Sequence, residues 1–115
     1  MTYEYQNIEN FHVLKIYDLL LPEENKKIIA EVESLISSGA KFFIVDLSAM
    51  QYLQSIGLTF LISVLTRSRT AGGDVAICGL SEKIHQILLM TRLQSMFHIE
   101  TDVQQAMDAL KKVMA

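Results

Sequence analysis

Across Phe42-Phe43-Ile44-Val45-Asp46-Leu47 a single polar residue interrupts an otherwise apolar run. A strand with one wet face alternates apolar and polar side chains, whereas an unbroken run belongs to a strand covered on both faces, as in sheets sandwiched between helices. The run is therefore expected at the centre of a sheet, and the chain has to supply helices for both sides. Val75-Ala76-Ile77-Cys78 is a second short run of this kind. Between the two, Leu58, Leu61, Ile62 and Leu65 share one helical face while Phe60 and Val64 lie elsewhere on the same helix. Such a helix is apolar nearly all round and should be well buried. Arg67 and Arg69 sit near its negative end, and Ala71-Gly72-Gly73-Asp74 makes the turn that follows.

The flanking segments complete the pattern. Aromatic and branched residues dominate from Tyr3 to Ile8 and from Phe11 to Tyr17, with Asn7 and Asn10 as turn formers between them, which predicts a hairpin. Pro22 suits a first helical position, Glu23 and Glu24 complement the helix dipole there, and Ile28, Ile29, Val32, Leu35 and Ile36 fall on one face before Gly39 ends the helix. Ser81 is placed to cap a third helix whose inner face carries Ile84, Ile87 and Leu88. A brief strand is expected from Met96 to Ile99. Thr101 with Gln104 reads as a capping box that opens a last helix, with Val103, Met107, Leu110 and Met114 inward. The order is β-β-α-β-α-β-α-β-α, an α/β fold with a mixed sheet: parallel strands joined by right-handed crossovers, plus an N-terminal hairpin. At 115 residues, half of them hydrophobic, one domain over residues 1–115 is the expectation.

Composition excludes several functions. Ten basic residues against thirteen acidic ones give a formal charge of −3, and the bases are scattered, so a nucleic-acid surface is not expected. The lone Cys78 cannot form an internal disulfide, the N-terminus lacks an export signal, and no apolar run reaches the ~20 residues needed to cross a bilayer; a cytoplasmic protein with no membrane role is expected. Cys78 ends an apolar strand with no cationic neighbour in sequence, so it reads as a buried inert thiol. His12, His85 and His98 lack metal-ligand spacing, and Gly72-Gly73 lacks the Lys-Ser/Thr of a phosphate-binding loop. Asp46 is expected to bond the backbone of its own loop. Without a nucleophile–base pair, a metal set or a cofactor motif, the chain does not read as an enzyme.

The informative segment joins the central strand to the second helix: Ser48-Ala49-Met50-Gln51-Tyr52-Leu53-Gln54-Ser55-Ile56-Gly57. In open α/β sheets ligands and partners collect at the carboxyl ends of strands, where this loop must lie. Met50, Tyr52 and Leu53 cannot all turn inward from so short a connection, so apolar surface should remain exposed. Ser55 falls at the helix start, where its hydroxyl can cap the first turn or can carry a regulatory phosphate; Gly57 would let another chain approach.

These residues resemble the STAS domains, and among them the bacterial anti-sigma-factor antagonists. Their pattern is a strand ending in Asp-Leu-Ser, an apolar loop, then Asp-Ser-(Ser/Ala/Thr)-Gly-Leu opening a helix. This chain has Asp46-Leu47-Ser48 and Gln54-Ser55-Ile56-Gly57-Leu58, and the likeness continues through Gly72-Gly73, residues 75–80, the helix from Ser81 and Phe97-His98-Ile99. Gln54 stands where the family has an acid and Ile56 where it has a small residue; in the acidic turn after the second strand, Tyr17-Asp18-Leu19-Leu20, only Asp18 keeps a charge. The resemblance implies a binding module that docks on an anti-sigma factor with serine-kinase activity, with Ser55 the phosphorylated serine. Asp18, Met50, Tyr52, Leu53, Gln54, Ser55, Ile56 and Gly57 would contact the partner, a serine phosphatase would be a second partner, and a homodimer stays open. The alternative within the same fold is an adaptor or subunit of a transport or stress-sensing complex in which Ser55 is never phosphorylated.

Overall fold

A computed structural model describes residues 3–18 and 21–114. Met1, Thr2, Ala115 and the Leu19-Leu20 pair of the turn after the second strand lie outside the described residues. The elements run β1 (Tyr3–Ile8), β2 (Phe11–Ile16), α1 (Pro22–Ser37), β3 (Phe42–Asp46), α2 (Ser55–Thr70), β4 (Asp74–Cys78), α3 (Glu82–Met90), a 3-10 turn (Leu93–Met96), β5 (His98–Glu100) and α4 (Val103–Met114). This is the expected order, with the last strand displaced because residues 93–96 curl into the 3-10 turn first.

The five strands lie in the sheet in chain order. β1 pairs antiparallel with β2, and every later neighbour pair is parallel. A sheet wound in one direction by crossovers of one hand places the crossover helices on one side. The core divides accordingly: Leu14, Ile16, Phe43, Val45, Val75 and Ile77 pack with residues of α1, α2 and α3. On the reverse side Val13, Ile44, Ala76 and Cys78 meet Ala106, Met107 and Leu110 of α4. β3 is thus covered on both faces, which explains its unbroken apolar run.

Three expectations about helices are corrected. The buried ridge of α2 is Gly57, Phe60, Leu61, Val64, Leu65 and Ser68; Leu58 is half-buried and Ile62 is exposed. The buried positions keep the helical period but are rotated from the expected face, because apolar residues on both faces left the sheet to choose between them. α4 is capped by Asp102, whose Oδ1 accepts from the Gln105 amide at 2.9 Å, and not by Thr101. Gln104 reaches Asp108 instead of turning back, so no capping box forms. Met114, expected inside, is exposed in the final turn of α4. The turn from α2 into β4 requires glycine at Gly73: a Cβ there would lie 1.7 Å from the Lys41 carbonyl oxygen at the foot of β3. Among the described residues no helix is long and apolar enough to cross a membrane.

Candidate docking site

All the parallel strands end at one edge of the molecule, where α1, α2, α3 and α4 begin. The loop between β3 and α2 is fixed there from both ends. At its start the Leu47 amide donates to the Cys78 carbonyl at 2.9 Å, and the Ser48 amide donates to Asp46 Oδ1 at 2.9 Å, the self-bonded loop carboxylate expected of Asp46. Gly79, at φ +72°, lies close behind: a Cβ there would be 2.8 Å from the Ser48 Cβ. Further on, the Ser81 hydroxyl donates to the Gln51 carbonyl at 2.9 Å while accepting from the Ile84 amide at 3.2 Å. Ser81 thus caps α3, as expected, and also holds the loop.

The partner residues read from the sequence separate into three groups. Tyr52 is 57% exposed, and Gln54 and Ser55 are exposed beside it. Met50 and Ile56 are half-buried. Leu53, expected to contribute surface, is a core residue at 2% exposure, and it packs over Gly57, which is itself buried. A Cβ on Gly57 would come 2.6 Å from Leu53 Cδ2, so the space that glycine leaves is filled by this chain's own leucine and not offered to another chain. The exposed apolar surface of the loop is therefore Tyr52 with part of Met50. Asp18 stands partly buried two residues beyond β2, at the same end of the sheet.

Ser55 is the first residue of α2, one place later than a capping position. The cap is Gln54, whose carbonyl accepts from the Gly57 and Leu58 amides and whose side chain makes no capping bond. The Ser55 hydroxyl is therefore not committed to the cap. The first turn of α2 holds no acidic side chain, while α1 and α3 carry Glu23, Glu24 and Glu82 in theirs. The positive end of α2 is thus not offset by a carboxylate of its own first turn.

One surface residue was missed from sequence. Ser55, Thr59, Ile62 and Thr66 are all exposed and spaced four, three and four apart, so they form one outward ridge of α2. Ile62, assigned inward on periodicity, extends the apolar surface two turns from Ser55. Its seven-residue spacing from the serine was the available signal.

Cys78, His98 and His12 are engaged within the fold. Cys78 is 1% exposed, and burial, followed by the charges of Asp46 and Asp102, pushes its thiol up to about 12. His98 Nε2 pairs with Asp74 Oδ2 at 3.0 Å, and Arg69 holds the other oxygen of that carboxylate at 3.3 Å. His12 shares a 2.6 Å hydrogen bond with the Tyr5 hydroxyl and stacks on its ring.

In comparison with known families, residues 2–106 match the STAS domain. This chain belongs to the STAS domain family. Among curated relatives, a Bordetella bronchiseptica protein named putative anti-sigma factor antagonist BtrV is 23% identical over 82 residues, 71% of each chain. A Thermotoga maritima protein described in the same way superimposes with a TM-score of 0.85 at 20% identity, over 95% of this chain and 94% of that one. The unphosphorylated form of the anti-sigma factor antagonist SpoIIAA superimposes at 0.80 with 14% identity over 96% of both chains. Its phosphorylated form, from Bacillus, does so at 0.73 with 15% identity over 93% of this chain and 97% of that one. At these identities the structural likeness is one of fold: the STAS sheet with its helices is common to all of them.

Proposed function

We propose that this STAS domain acts as an anti-sigma-factor antagonist: a cytoplasmic, non-catalytic module that docks on an anti-sigma factor with serine-kinase activity and is released when Ser55 is phosphorylated. The observation that carries the proposal is the setting of Ser55, exposed at the start of α2, free of capping duty and flanked by exposed Tyr52 and the Ile62 ridge. An exposed aromatic with neighbouring apolar groups is the kind of surface that proteins bury on association. A phosphate on Ser55 would add about −1.5 to −2 charges at a positive helix end, so the domain itself tolerates it. For a partner seated on the same spot, one badly placed phosphate suffices: a hundredfold loss of affinity is about 2.8 kcal/mol.

The names carried by BtrV and SpoIIAA, and the existence of SpoIIAA in a phosphorylated form, support this reading. Asp18, Met50, Gln54 and Ile56 complete the proposed contact region, with a serine phosphatase as the agent that resets Ser55. Replacing the acid by Gln54 removes a like charge beside the phosphate, which eases phosphorylation electrostatically while changing what a kinase reads. The test is binding of the cognate kinase-type anti-sigma factor to wild type, Ser55→Ala and Ser55→Asp. Wild type and Ser55→Ala should bind alike and Ser55→Asp at least about a hundredfold more weakly; equal binding by all three refutes the switch. Gln54 and Ile56 favour the second reading, an adaptor or subunit of a larger complex, for which phosphoserine would be absent from protein isolated from cells.

A further inference from the structure

The Ser81 hydroxyl makes two bonds with different consequences. As acceptor it caps the first turn of α3 through the Ile84 amide, and as donor it holds the Gln51 carbonyl across a separation of thirty residues. Gln51 immediately precedes Tyr52, and both are exposed. Elsewhere in this loop the backbone bonds sit at the Leu47–Met50 turn and at the Gln54 carbonyl, and Leu53 is the buried anchor. The Ser81–Gln51 bond therefore lies in the gap between these fixed points, on the carbonyl of the peptide that leads into Tyr52.

We infer that Ser81 is a positioning residue for the docking surface, fixing the Gln51-Tyr52 segment so that the Tyr52 ring is presented beside Ser55. The inference rests on the proposed function only in assigning Tyr52 a partner. Its physical content is that one hydroxyl couples the start of α3 to the loop before α2, and the two bonds can be separated chemically. Aspartate caps a helix as well as serine does, but its carboxylate has no proton to give a carbonyl; threonine keeps both capacities; alanine keeps neither.

The experiment compares Ser81→Asp, Ser81→Thr and Ser81→Ala with wild type, using urea unfolding for the cap and chymotryptic cleavage after Tyr52 for the loop. Cleavage should accelerate about fivefold in Ser81→Asp and Ser81→Ala, the ratio that loss of one net hydrogen bond of ~1 kcal/mol gives at 25 °C. Ser81→Thr should cleave at the wild-type rate. The unfolding midpoint should fall less in Ser81→Asp, which loses the tether alone, than in Ser81→Ala, which loses the cap as well, and the early cleavage should be confined to the Tyr52 site, so it is not a symptom of general unfolding. Wild-type cleavage in Ser81→Asp, or a midpoint that falls with it as far as that of Ser81→Ala, overturns the inference. These arms need no partner. In a third arm, Ser81→Asp should bind the kinase-type anti-sigma factor more weakly than Ser81→Thr; equal binding overturns the presentation of Tyr52. A wild-type protein that binds no such factor while the cleavage pattern holds refutes the proposed function and supports the tether.

Discussion

The contact between Leu53 and Gly57 gives a measurable prediction because the same space is claimed from two sides. In Gly57→Ala the new methyl would lie 2.6 Å from Leu53 Cδ2, about 1 Å inside comfortable carbon contact. The Leu53 side chain is buried and has little room to retreat, so overpacking should cost ~1–3 kcal/mol. Removing a glycine from a helix returns ~0.5–1 kcal/mol, leaving a net loss of about 1 kcal/mol. Leu53→Ala empties a buried site, at the lower end of the ~2–5 kcal/mol range because a loop can collapse into the cavity. In the double variant the methyl at position 57 enters vacated space: the clash disappears and only the helical gain remains. The pair should therefore be about 1.5–2 kcal/mol more stable than the sum of the single losses. Urea unfolding of the four proteins with linear extrapolation measures this coupling. Additivity within about 0.5 kcal/mol would refute the claim that Leu53 occupies the space Gly57 leaves.

Three further outcomes follow from the structure. Asp102→Ala should lower stability by about 1 kcal/mol in urea unfolding while Thr101→Val leaves it within about 0.5 kcal/mol, because only the former removes the cap of α4. Cys78 should resist a thiol reagent at pH 8 until the protein unfolds. Its ionisation in the folded state is raised, so the stability it contributes is complete below the unfolded thiol's pKa of about 8.5 and is lost as pH climbs from there toward about 12, visible as a urea midpoint that falls from about pH 8.5 in wild type and only from about pH 10, where Tyr3 begins to contribute, in Cys78→Ala. Tyr52→Ala should leave the unfolding free energy within about 0.5 kcal/mol of wild type and weaken anti-sigma-factor binding at least about tenfold in calorimetry; unchanged affinity would remove Tyr52 from the proposed docking surface.

Residue patterning carried the order of the elements and much less of their orientation. The apolar run of β3, Pro22 at the head of α1 and Ser81 at the head of α3 each have one local explanation, and each behaves accordingly. On α2 the polar spacing of Ser55, Thr59 and Thr66 marks the side that faces water, but Ile62 shares that side, and its apolar character together with Leu58, Leu61 and Leu65 pointed the reading the other way. The start of the same helix is ambiguous by one residue because Gln54 and Ser55 are both acceptable there. That single step turns Ser55 from a cap into an exposed hydroxyl. In the loop between β3 and α2 neither helical nor strand period applies. Nothing local distinguished Leu53 from Tyr52, and the contact that does so, with Gly57 beneath, lies in the following helix. Ser81's second bond spans two elements and could not be read from either.

The division of labour between the helices has a consequence for synthesis. α1, α2 and α3 each precede a strand and can settle as the sheet grows, but among the described residues the reverse face of Ile44, Ala76 and Cys78 is closed by α4. Since α4 follows every strand in chain order, a nascent chain leaving the ribosome carries that face bare until the final helix emerges. During that interval the thiol of Cys78, inaccessible in the finished domain, is open to oxidants and to other nascent chains.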